Sequence, residues 1–150
     1  MALIIIFYRL KETKTKKEVK EDLNNLAKDH GCIITDYDYW NHAKLGFDNM
    51  AGMLFFIRTI QEQTHSSVIK LSEISKCEMM RSVRSLSSGK NSPDVIDKIG
   101  LTFIANDKKK NDVTLEFYNT QYDSLSLNGE LQLAEKWLVL IQEFLQKAMK

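Results

Sequence analysis

From Cys32 to Tyr118 apolar residues alternate with polar ones in short stretches, each interrupted by turn-forming residues before it reaches helical length. A period of two places successive side chains on opposite faces of a strand, so this pattern predicts half-buried β-structure. Seven strands are expected, at residues 33–39, 44–48, 53–59, 67–71, 76–84, 98–105 and 112–118. The turn Asp48-Asn49-Met50-Ala51-Gly52 suits a hairpin, and so does the charged loop from Asn106 to Asn111. Residues 85–94, with four serines, a glycine and the only proline, have loop composition.

The period changes to helical at both ends. Leu131, Ala134, Trp137, Leu138, Ile141, Phe144, Leu145 and Ala148 recur at three- and four-residue spacing after Asn128, a good N-cap. So wide a stripe must lie on something apolar. From Lys11 to Asp29 there is no Gly, Pro or aromatic residue, and Val19, Leu23, Leu26 and Ala27 form a narrower stripe. A helix is expected there, with Gly31 as its left-handed C-cap. Its first half is polar, so residues 11–31 are expected to project as a helical stalk.

Seven antiparallel strands followed by one amphipathic helix resemble the pleckstrin-homology-like (PH-like) superfold. The likeness rests on element order over residues 32–150 and on one landmark, the tryptophan of the final helix, here Trp137 in Gly129-Glu130-Leu131-Gln132-Leu133-Ala134-Glu135-Lys136-Trp137-Leu138. The resemblance implies a mainly β fold: a half-open barrel of two antiparallel sheets, capped by the C-terminal helix. Lipid-binding members carry a basic cluster on the first hairpin. Here that hairpin is Trp40-Asn41-His42-Ala43-Lys44, with a single lysine. Other members bind peptides along a sheet edge or pack against partner domains. The helix-grip fold, with a cavity for an apolar ligand, is the alternative architecture, although residues 41–43 leave no room for its usual helices between the first strands.

At 150 residues the chain has length for one ordinary core. Its formal net charge of +1 gives no global attraction to nucleic acid, so no nucleic-acid partner is expected. Charge matters locally. The apolar run Ala2 to Tyr8 is followed at once by Arg9, Lys11, Lys14, Lys16, Lys17 and Lys20. A spanning helix needs about 20 apolar residues, so residues 1–10 read as the end of a truncated transmembrane helix, with Phe7 and Tyr8 at headgroup level and Arg9, Lys11 and Lys14 on the cytoplasmic side. This layout is similar to that of uncharacterised bacterial membrane-anchored proteins with a PH-like domain. A buried N-terminal strand, in a soluble cytoplasmic protein, is the competing reading. A second basic zone, Lys76, Arg81, Arg84, Lys90 and Lys98, is the candidate binding surface for an anionic membrane or another protein.

Little in the sequence points to catalysis. His30, His42 and His65 are scattered and Cys32 and Cys77 lie far apart, so no metal and no cofactor are expected. Asp36 and Asp38 would share one strand face about 7 Å apart, a spacing for paired acids, yet with no histidine or third carboxylate beside them. Phosphate-loop, dinucleotide and serine-elbow motifs are absent; Ser87-Ser88-Gly89-Lys90 lacks the strand-to-helix setting. The expectation is a non-catalytic, membrane-associated binding or scaffolding module. Its alternative is a soluble carrier of an apolar small molecule in a helix-grip-like cavity.

Overall fold

A computed structural model describes residues 16–85, 94–123 and 126–148. The fold is mainly β: two antiparallel sheets, of four and three strands, with a helix near each end of the chain. Neither sheet closes into a barrel. The chain divides into two compact units between Ile69 and Lys70.

The first unit begins with helix α1, residues 16–28. Its apolar stripe is packed, not displayed: Val19, Leu23 and Ala27 are buried with Cys32, Ile34 and Phe55, and half-buried Leu26, Tyr37, Met53, Ile57 and Val68 complete the cluster. Residues 16–28 therefore belong to the unit's core and do not stand off it as a stalk. Four apolar residues on one face suffice to dock a helix whose remaining faces are polar. The expected stalk before residue 16, and Phe7, Tyr8, Arg9, Lys11 and Lys14 with it, lie outside the described residues. Gly31 ends the helix as anticipated, with φ +69°. Its N–H donates to Lys28 O (3.1 Å) and the Cys32 N–H to Ala27 O (2.9 Å), the paired bonds of a Schellman motif that turn the chain back toward the sheet.

Strands β1 (Asp36–Trp40), β2 (Ala43–Asp48), β3 (Met53–Ile60) and β4 (Gln63–Lys70) form a meander in that order. Two-residue turns join β1 to β2 and β3 to β4. Gln61 and Glu62 both carry positive φ, the sign pattern of a type I′ hairpin turn. Central β2 and β3 are buried along most of their length, while edge strand β4 is largely exposed.

The second unit opens with a 3₁₀ turn, Leu71–Glu73, followed by β5 (Ile74–Ser85), β6 (Asp94–Ala105) and β7 (Val113–Asn119), again a meander. Strands β5 and β6 are longer than the sequence predicts, because irregularities at Ile74/Lys76 and Ser82/Val83 absorb breaks in alternation without ending the pairing. Helix α2, Glu130–Ala148, lies across all three strands. Ala134, Trp137, Ile141 and Leu145 are buried, while Leu131, Leu138 and Phe144 are half-buried and Ala148 is exposed. The Leu133 N–H donates to Gly129 O at 3.0 Å, so Gly129 occupies the cap position in place of Asn128. At the β6–β7 register shift, Gly100 lies tight under its neighbour: a Cβ there would meet Leu115 O at 2.5 Å. Because that obstacle is backbone, Gly100→Ala should cost about 1–3 kcal/mol, read as a lower urea midpoint with an unchanged slope.

Candidate functional site

The pairing register separates the candidate basic surface. Lys76 and Lys98 share one face of the three-stranded sheet, since Lys76 pairs with Ile104 and Lys98 with Ser82 on an unbroken ladder. Six positions apart, they are separated by about 20 Å. Arg81, opposite Ile99, points to the other face. Lys76 is ion-paired to Glu78 at 2.9 Å and Arg84 to Asp97 at 3.4 Å. Lys90 lies outside the described residues. Asp36 and Asp38 lie on edge strand β1, opposite Phe47 and Leu45, and Asp36 accepts a hydrogen bond from the Thr35 hydroxyl at 3.1 Å. Among the described residues no group of three His, Cys, Asp or Glu side chains is placed to share a metal ion, and no helix is long and apolar enough to cross a membrane.

Two polar centres escaped the sequence reading because their members meet only in three dimensions. In the first unit, buried Asp48 closes the β2–β3 turn. One carboxylate oxygen accepts the N–H groups of Met50 (2.9 Å) and Ala51 (3.0 Å), and the other that of Ile33 (2.9 Å). Burial alone would raise the acid, but the Ala51, Ile33 and Met50 donors outweigh it and hold it below the usual carboxylate range. The adjoining Cys32 thiol is pushed up, first by burial and then by the charge of Asp48. In the second unit, Tyr118 is buried where β7 approaches the start of α2. Burial raises its phenol, and Glu130, Asp123 and Asp97 act in the same direction against Arg84. These carboxylates serve the fold: Glu130 accepts the Asn128 N–H (3.0 Å), Asp123 the Asn119 N–H (2.9 Å), and Asp97 the Thr120 hydroxyl.

Among the described residues, each unit also contains an open cleft. In the first, about 450 Å³ is lined by Asp22 and Asn25 of α1, by Asp29 in the turn that follows it, and by Lys44, Thr59 and Thr64 of the sheet, with Lys44 paired to Asp22. In the second, about 350 Å³ lies between the end of α2 and the start of edge strand β5. Its floor is Leu71, Ile74, Leu145 and Ala148; Ser72 and Asn106, joined by a 2.9 Å hydrogen bond, form its polar rim. Farther along β5, Gln142 of α2 donates to Cys77 O at 3.3 Å. The carboxylates of Asp48, Glu130, Asp123 and Asp97 thus bond to backbone and hydroxyl donors, and both clefts lie beside sheet strands. No protein-family model, curated protein or solved structure matches the chain.

Proposed function

We propose that this chain is a non-catalytic binding or scaffolding module of the PH-like type, held at the cytoplasmic side of a membrane by its N-terminal segment. The observation that carries the reading is the order of parts: a four-stranded and then a three-stranded antiparallel meander, followed by a helix that lays Trp137, Ile141 and Leu145 on the second sheet. The use of Asp48, Glu130 and Asp123 as backbone acceptors supports a role without acid–base chemistry. Dispersal of Lys76, Arg81 and Lys98 over two faces favours a protein partner for the domain itself, with membrane attachment left to Phe7, Tyr8, Arg9, Lys11 and Lys14. Flotation with vesicles containing anionic lipid tests the attachment. The full chain should rise with the vesicles and a chain lacking residues 1–15 should stay at the bottom; equal flotation of both overturns it.

One observation favours the alternative of an apolar small-molecule carrier. The cleft floored by Leu71, Ile74, Leu145 and Ala148 falls within the size range of ligand pockets, about 300–1,000 Å³. Native mass spectrometry of protein from its own cells would then show a constant added mass, lost when Leu145→Asp makes the floor polar.

A further inference from the structure

We propose that the free edge of β4 is a self-association surface, on which a second copy of this chain adds its own β4 antiparallel across a two-fold axis at Ser66. β4 is the last strand of the four-stranded sheet, and its residues from Gln63 to Ser66 are exposed. Which main-chain groups face outward follows from the hairpin. The Thr59 N–H donates to His42 O at 2.8 Å, toward β2, so the N–H and C=O of Ile60, the next residue, turn toward β4. Across the two-residue turn those groups meet Gln63. Bonding alternates from there, which leaves the N–H and C=O groups of Thr64, Ser66 and Val68 pointing away from the sheet. The 3.1 Å contact of the Thr59 and Thr64 hydroxyls and the packing of Val68 on the cluster that holds Phe55 fit the same register.

An open edge is ordinarily defended by charge, proline or a bulge. β1 carries Asp36 and Asp38, and β5 carries four charged residues and two register irregularities. From Gln63 to Ile69, β4 has no Lys, Arg, Asp, Glu or Pro. Its sequence instead complements itself. With Ser66 opposite Ser66 of the second copy, Thr64 meets Val68 of the second copy, a β-branched pair, and the strands exchange about six main-chain hydrogen bonds. The same register sets Glu62 opposite Lys70 of the second copy, once at each end of the ladder. Both residues are exposed in the single chain, and their charge match selects a second copy over an unrelated strand. An axis normal to the sheet keeps both α1 helices on one face, so the two clefts, each bordered by Thr64 and Ser66, adjoin at the axis. A ladder of one strand per copy belongs to the small class of interfaces, under about 1,200 Å², so the dimer is reversible. The proposal does not rest on the membrane reading.

Sedimentation velocity of the full-length chain at rising concentration should show its mass climbing from one chain to two. Ser66→Lys sets two ammonium groups against each other at the axis and should leave a single chain throughout, with an unchanged circular dichroism spectrum. Glu62→Lys should weaken the dimer by about tenfold, and adding Lys70→Glu should restore it, because the charges are then exchanged and not removed. Ser66→Cys supplies a covalent readout. The Cα atoms of a hydrogen-bonded pair lie about 5.5 Å apart, within disulfide reach, so oxidised glutathione should cross-link this variant. Thr64→Cys, whose two copies lie about 14 Å apart along the ladder, should stay uncross-linked. The wild type, with Cys32 and Cys77 buried, is the blank. A wild type that remains one chain at every concentration would leave the edge to another protein's strand and overturn the proposal. So would a dimer that persists in Ser66→Lys, a double charge reversal without restoration, or equal cross-linking of the two cysteine variants.

Discussion

Trp137→Ala should lower the free energy of unfolding by about 3–5 kcal/mol, the range for truncating a fully buried large aromatic side chain. Trp137 is 1% exposed and lies in the middle of the α2 stripe, between Ala134 and Ile141, which are also buried. Few neighbours can collapse into the space it leaves, because α2 is held against three strands at once. Val139, two residues on and 53% exposed, is the internal control: Val139→Ala should change stability by less than about 0.5 kcal/mol. Urea unfolding followed by far-ultraviolet circular dichroism reads both. Equal midpoints for the two variants would mean that the helix contributes no packing to its unit.

Asp48→Ala should cost about 3 kcal/mol or more, because it withdraws the acceptor from the Met50 and Ala51 N–H groups of the turn and from the N–H of Ile33. Asp48→Asn keeps one acceptor oxygen and should fall between the variant and the wild type. The two effects separate with pH. The carboxyl is held below its ordinary value in the folded chain, so its contribution is complete above the unfolded pKa of about 3.9 and is lost as pH falls through the lower folded value. The stability gap between wild type and Asp48→Asn should therefore be widest near neutrality and close below about pH 4. A gap independent of pH would assign the effect to packing and not to the charged acceptor.

The strand pattern was legible because each strand is a local event. Alternation around Phe47, Leu101 and Leu115 and the turn residues from Asp48 to Gly52 needed no knowledge of distant partners. Gly31 was legible for the same reason, since its left-handed cap depends on the preceding helix alone. What eluded the sequence depended on distance in the chain. Ile33 and Asp48 are 15 positions apart, so nothing beside Asp48 announced a buried acceptor. Met53 reads as one more core methionine until Cys32 is seen against it. The basic zone shows another effect of distance: summing charge along residues 76–98 does not register the pleat that sends Arg81 to the face opposite Lys76. The stalk misjudged α1 because polarity was averaged around the helix, whereas docking needed only the face bearing Val19, Leu23 and Ala27.

Amide hydrogen exchange on the intact chain measures the packing of α2 on the three-stranded sheet without altering a residue. Amides from Ala134 to Leu145 should open with the same free energy as those of Leu101 and Phe103 in β6, as one cooperative element. Exchange of the α2 amides at unprotected rates, while β6 remains protected, would contradict the account.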